Sequence, residues 1–328
     1  MAAIFPDYDN LPPVAGMPRG CAWGVFDSDG KKDVYGCLNK INSKVIQEAT
    51  LEATEGVSIS LNWGLGALNK PGANRKGLEH TVKSFLDTPL NFHGYDDEVS
   101  FNTQCSSQWD SLCHYYHQDS ECGYNGSKPS TEDLVKPTNG TYMPTLNHWH
   151  ERGGLVGRGI LIDFKSFAEA KGIAFNPFDD YRITPDQLEA AAEYQGLEFK
   201  EGDICLIRTG FTELLTDASA EEQSQLLGIN KAAGVDPTED SARWLWNKHF
   251  SAVASDNIAF ETKLGPGRIL HLHQYLLSLF GLHIGELWDL KALAEHCARR
   301  KRYSFLLTSC PLNVPGLIGS PPNALAIF

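Results

Sequence analysis

The chain has 328 residues, 42% of them apolar, which is enough for one large domain or two modest ones with a sizeable core. Its formal charge of −13, from 28 basic against 41 acidic residues, argues against nucleic acid or an anionic membrane as partner, because phosphate neutralisation takes clustered Lys and Arg. The one tight basic run, Arg299-Arg300-Lys301-Arg302, is expected to end a helix, where cations suit the dipole.

Eight cysteines are spread along the chain without a C-x-x-C pair, the usage of reduced thiols in a cytosolic protein. The start, MAAIFPDYDNLPPV, lacks the basic and apolar regions of a signal peptide, and no stretch reaches transmembrane length. A cytoplasmic location is therefore expected, and the sequons at Asn125 and Asn139 carry little weight.

In chain order, residues 1–40 are rich in Gly, Pro and Asp and read as an irregular arm laid over a core. Ser43 to Ala53 has helical spacing behind a Ser43 cap, and Val57 to Trp63 alternates as a strand does. Leu65 to Tyr95 and Gln118 to Thr145 are long polar loops, the kind that cover sites. Gly157 to Asp163 and Asp203 to Thr209 are buried-strand runs, with Arg208 expected in an ordinary surface ion pair. Between them, Phe164 to Lys171 closes at Gly172, and Thr184-Pro185-Asp186-Gln187 is a capping box opening a helix to Gly196. A helix over Thr238 to His249, a strand at Ala252 to Ala254, a helix to Arg300 and a strand from Tyr303 to Thr308 follow, before a Pro- and Gly-rich tail. No repeat, low-complexity segment or composition break divides the chain, so residues 1–328 are expected to form a single domain.

The stretch FNTQCSSQWDSLCHYYH, Phe101 to His117, concentrates chemistry. Asp110 and His114 are four apart, so a helix stacks them and a tight loop turns both into one cavity. If Gln104 to Asp110 is extended, Gln104, Gln108 and Asp110 share a face. For a lone D-x-x-x-H the commoner outcome is a loop whose side chains satisfy backbone groups, and Cys105 and Cys113 are more often small apolar fillers than nucleophiles. Trp63, beside Gly64 and Gly66, and Trp109 are candidate pocket walls, although Trp at a strand end is more often core. A second concentration, His271, His273, His283, Glu286 and Asp289, lies on an apolar background, where polar groups are costly to bury. Two histidines at spacing two do not share a helix face, so one of His271 and His273 looks into a given cavity.

Landmarks over most of the chain carry a resemblance: Trp23-Gly24, YGCLNKIN, SLNW, FNTQCSSQWDSLCH, GRGILIDF, EGDICLIRTGF, AVASDN and PLNVPGLIGSPPNALAI, in that order. The chain resembles the cyclase family that includes bacterial kynurenine formamidase and isatin hydrolase. The resemblance implies an α/β fold, a single domain with a mixed β core flanked by helices and long site-covering loops, and a homodimer. Its metal-dependent members carry H-x-x-x-H-x-D-x-x-x-H, then a distant His and Glu; the first two His and the Asp bind a divalent metal and the last His moves protons. On this sequence Asp110 and His114 match, Gln104 and Gln108 replace the first two histidines, and His273 and Glu286 are the best downstream pair, with His271 open.

An amide oxygen is a weaker, harder ligand than imidazole, so a set built on Asp110, His273 and Glu286 is oxygen-rich. Manganese or zinc is the implied cofactor, or no ion binds and Gln104 and Gln108 orient a polar substrate instead. Three functions follow. The first is an arylformamidase-like hydrolase of a small amide, lactam, lactone or ester, with His114 as proton shuttle. The second is a metal-independent lyase or cyclase in which Asp110 orients His114 and the glutamines, with Trp109 and Trp63, hold the substrate. The third is a non-catalytic small-molecule-binding protein on the same fold.

Overall fold

The structure is a computed structural model, described for residues 5–264 and 269–328. Its centre is one mixed sheet of nine strands. In chain order these are β1 (Ser58–Ser60), β2 (Gln108–Asp110), β3 (Leu155–Asp163), β4 (Ile204–Arg208), β5 (Ala252–Ser255), β6 (His283–Glu286), β7 (Ser304–Ser309), β8 (Gly319–Ser320) and β9 (Ala324–Ile327). They lie side by side as β1-β9-β7-β3-β4-β5-β6-β2-β8.

The four central strands, β3 to β6, run parallel, and both flanks are antiparallel. Parallel strands are covered on both faces, which is why GRGILID and DICLIRT read as unbroken apolar runs. Nearly every residue of these strands is buried, and two apolar clusters pack the faces, one around Phe164, Leu245 and Phe280, the other around Trp109, Trp149 and Trp288.

The helices start and stop where local chemistry dictates. α1 (Ser43–Thr50) is capped by Asn42, whose side chain accepts from the N–H groups of Lys44 and Val45, one residue earlier than the Ser43 cap expected. α2 (Phe164–Lys171) closes on Gly172 in the left-handed conformation, and α3 (Pro185–Gln195) opens with the Thr184–Gln187 capping box. Glu239–Asn247 and Lys291–Arg300 are also helical, the latter ending in the basic run.

Two segments differ from expectation, and a third is helical with widened turns. Leu65 to Tyr95 is not a plain loop, since Glu79–Ser84 pairs antiparallel with Tyr95–Ser100 in a separate hairpin. Its residues are almost all exposed on both faces, so no one-sided apolar alternation announces it. Arg208 is no surface residue: it is buried, donating to Asp163 Oδ1 at 2.8 Å and Glu213 Oε1 at 2.6 Å. The apolar run around His273 is a helical turn, His271–His273, that widens into π turns over Gln274–Phe280.

The described part of the N-terminal arm, from Phe5, is irregular and clamps that π segment. Ala22 N donates to Leu279 O at 2.9 Å, Trp23 Nε1 to Ser278 O at 2.7 Å and Cys37 N to Gly281 O at 2.7 Å, satisfying carbonyls that the helix end leaves free. Gly36 allows the approach, since a Cβ there would sit 1.9 Å from Gly281 O.

Candidate active site and metal centre

The carboxyl ends of the parallel strands carry charged and polar groups together: Asp163 on β3, Arg208 on β4, Asp256 just after β5 and Glu286 on β6. Open α/β sheets bind ligands at that edge. Asp256 is structural, accepting from Thr209 N, Thr209 Oγ1 and Gly210 N.

The site itself straddles β6 and β2. Gln108 and Glu286 are direct cross-strand partners, so their side chains share a face, and Asp110, two residues along β2, points the same way. His273 reaches them from the helical segment, and exposed His271 does not. One ligand atom from each of Asp110, His273 and Glu286 lies within 4.8 Å of the others, and all three residues are buried.

Hydrogen bonds tie the group together. Gln104 Nε2 donates to Asp110 Oδ1 at 2.5 Å, and Gln108 Nε2 donates to Glu286 Oε2 at 3.0 Å. Glu286 Oε1 accepts from His273 Nε2 at 3.1 Å and from Phe260 N at 3.2 Å. Gln104 fits because β8 offers no side chain at Gly319, where a Cβ would stand 2.8 Å from Gln104 Nε2.

Behind His273 stands Glu261, fully buried and absent from the sequence-derived set. Its Oε2 accepts from His273 N at 3.0 Å and lies 3.5 Å from His273 Nδ1, which holds the ring with Nε2 turned to Glu286. The signal in the sequence is slight: one acid following Ala259-Phe260 after a strand end. Tyr115 packs edge-on against the His273 ring at 5.5 Å.

The environment pushes the two carboxyls apart. Burial raises Asp110, with neighbouring Glu286 adding to the rise against the pull of His114 and His273. Burial also works against the charge of Glu286, but the His273 hydrogen bond and charge, then His114, hold it below the ordinary carboxylate value. For His273, burial is outweighed by Glu261 and Glu286, which hold it well above the usual imidazole value.

His114 follows a tight turn, its N–H donating to Ser111 O at 2.9 Å, and is half-buried within electrostatic reach of both Asp110 and Glu286. The loop arrangement, not the helix, therefore joins Asp110 to His114. The imidazole lines a hollow of about 370 Å³ together with Cys113, Tyr115, Tyr116, Gln118 and Glu121.

Both tryptophans fall elsewhere. The alternation that brings Gln108 and Asp110 together turns Trp109 to the opposite face, where it is fully buried against Trp149 and Trp288 and donates to Ser309 Oγ at 2.9 Å. Trp63 is buried with Phe211, Phe178 and Leu287, its Nε1 donating to Thr216 Oγ1 at 2.8 Å, so it too belongs to a core. His283 donates from Nδ1 to Asp110 O at 3.0 Å and fixes the strand.

A divalent ion suits this donor set. The oxygens Asp110 Oδ2, Gln104 Oε1 and Gln108 Oε1 are buried without hydrogen-bond partners among the described residues, and Glu261 supports His273 from behind as carboxylates support metal-binding histidines.

The family model for Cyclase matches residues 57–262, well over half of the chain. The chain belongs to the cyclase family. A solved structure described as a novel cyclase is 29% identical to this cyclase-family chain, covers 94% of it and 99% of its own length, and superposes with a TM-score of 0.79. Isatin hydrolase A from Ralstonia solanacearum is 15% identical, with 87% and 97% of the two chains covered and a TM-score of 0.56. An isatin hydrolase bound to the product analogue thioisatinate is 16% identical, covering 87% and 98% with a TM-score of 0.58. These two share the fold with this family member. No curated protein matches the chain by sequence.

The expected mixed α/β cyclase fold is thus the observed one. All eight cysteines are unpaired thiols, and among the described residues no helix is long and apolar enough to cross a membrane.

Proposed function

We propose that this cyclase-family chain is a metal-dependent hydrolase of a small amide, lactam, lactone or ester. One observation carries the reading: three buried ligand atoms, from Asp110, His273 and Glu286, converge within 4.8 Å. Asp110 Oδ2, His273 Nε2 and Glu286 would hold the ion, with the free Gln oxygens completing an oxygen-rich set suited to manganese more than zinc. Bound there, a divalent ion supplies Lewis acidity toward a carbonyl and lowers the pKa of water.

The chain's own groups divide the remaining work. Glu286 stays charged and anchors His273, whose ring it holds toward Asp110 in the same cluster. His114 lines the hollow and is within electrostatic reach of Asp110 and Glu286, so its imidazole would carry a proton to a leaving group. The amide of Gln104 fixes Asp110, and that of Gln108 fixes Glu286, which keeps both carboxylates oriented without a bound substrate.

A second reading draws on those same amides. Two Gln N–H donors occupy the carboxylates directly, as a metal-free proton-transfer cluster requires, and a lyase or cyclase would then use His114 and Asp110 alone. Metal analysis of protein purified without chelator, followed by assays of aryl amides, lactams and lactones with added manganese or zinc, separates the two. Bound metal and metal-stimulated hydrolysis support the first; turnover indifferent to metal and chelator supports the second. The fold shared with an isatin hydrolase makes a cyclic aryl amide the first substrate to try.

A further inference from the structure

Six of the eight free cysteines, Cys21, Cys37, Cys105, Cys113, Cys205 and Cys297, are buried and out of reach of solutes. Burial pushes the thiols of Cys113 and Cys297 up to about 12. Cys122 is partly covered, and its thiol donates to Ser120 O at 3.2 Å, an acceptor that leaves the proton on sulfur. Cys310 differs on both counts. It is exposed, and its Sγ lies 3.8 Å from His150 Nδ1.

The fold builds that contact from two distant segments. Cys310 is the first residue after β7, and His150 lies in the short helix His148–Glu151. The chain leaves this helix through Gly153 and Gly154, both left-handed, with Gly154 N donating to Trp149 O at 2.7 Å. Leu155 then pairs with Ser309, which sets the helix beside the end of β7. A Cβ on Gly154 would stand 3.9 Å from the sulfur, so a longer side chain there would cover the thiol that glycine leaves open. On the far side of the ring, His150 Nε2 lies 2.8 Å from Pro311 O. A carbonyl oxygen only accepts, so Nε2 carries the hydrogen, and in the neutral ring Nδ1 turns its lone pair to the thiol. Nucleophile, base and the group that orients the base therefore stand in order, as Cys310 Sγ, His150 Nδ1 and Pro311 O, the arrangement that activates a thiol.

We propose that Cys310 is a thiol-modification site for low-molecular-weight disulfides, with His150 as its base. The thiol proton passes to His150 Nδ1, and the thiolate attacks one sulfur of the incoming disulfide. A new S–S bond to Cys310 forms as the old S–S bond breaks, and the departing thiolate takes the proton back from His150 and leaves as a thiol. Cys310 is oxidised and half of the incoming disulfide is reduced, so the exchange balances without another oxidant. Nothing in it involves the Asp110–His273–Glu286 group.

The probes are dithiodipyridine, whose released thiopyridone absorbs, and glutathione disulfide, each added to the folded full-length protein, with peptide mass mapping of the labelled residue. A single fast phase is expected, mapping to Cys310 and lost in Cys310→Ser, and glutathione disulfide should leave its adduct on the same residue. His150→Ala should slow that phase by about 10-fold or more, and added imidazole should restore much of the rate, which it would not do for a side chain that only supports the fold. His150→Gln fills the space without taking a proton, so it should be equally slow, and it keeps the test decisive if His150→Ala folds poorly. In urea the wild type and both His150 variants should react at one rate, because the contact belongs to the folded chain. A fast phase on another cysteine, no glutathione adduct at Cys310, or an undiminished rate in both His150 variants overturns the proposal.

Discussion

Gln108 and Glu286 stand directly opposite each other on adjacent strands, the amide Nε2 donating to the carboxylate Oε2 at 3.0 Å across 178 positions of sequence. An amide here does two things that an imidazole would not: it neutralises no charge, and it leaves a carbonyl oxygen, Oε1, buried and unpaired beside the acids. That geometry makes the site's ligand field adjustable by substitution.

Replacing Gln104 and Gln108 with His should add imidazole donors to an oxygen-rich set and raise zinc affinity by at least about 10-fold. Competition with a chromophoric chelator measures it. Unchanged zinc affinity in the double variant would mean that these side chains do not face the ion.

His114→Ala should reduce kcat by roughly 100-fold or more if, as proposed, the half-buried imidazole that lines the hollow carries the proton. Its thermal unfolding should match the wild type, since among the described residues its ring makes no hydrogen bond to hold the fold. A fully active variant removes His114 from the mechanism.

Trp109→Ala should cost about 3–5 kcal/mol in urea denaturation, the usual loss for a buried aromatic, because Trp109 locks β2 against Trp149 and Trp288. Trp109→Phe should be milder and leave KM unaltered. A KM effect with stability intact would return Trp109 to the pocket.

Asp256 gives a pH signature. Burial pushes its carboxyl up to about 6 against the hydrogen bonds from Thr209 and Gly210, whereas an unfolded Asp titrates near ~3.9. The folded state therefore binds the proton more tightly, and the stability this contributes is present in full below ~4 and lost as pH rises through about 6. Between pH 4 and 7 the difference amounts to about 2 kcal/mol. Asp256→Asn should be destabilised more, relative to wild type, at the acid end than at neutrality, read from urea midpoints across that range.

Much of this was legible in the residues. Unbroken apolar runs marked β3 and β4, and Thr-Pro-Asp-Gln marked the start of α3, because these signals are local. The same alternation that joined Gln108 to Asp110 already implied that Trp109 faced away, so its placement in the pocket conflicted with the pattern used for its neighbours. Glu261 was not legible: it owes its importance to His273, in the helical turn further along the chain, and nothing in its immediate neighbours announces that partner. The buried Arg208 escaped for a related reason, since only the folded sheet brings Asp163 beside it.

Among the described residues, the strand bearing Asp110 pairs with 283–286 and 319–320 alone. A chain still emerging from the ribosome has neither until residues 283–320 are made, so Asp110, at the end of that strand, stays unpositioned until then. Loop closure over such separations is slow, and the catalytic apparatus should be among the final parts to mature. Synthesis thus keeps this chemistry switched off until both neighbouring strands have been made.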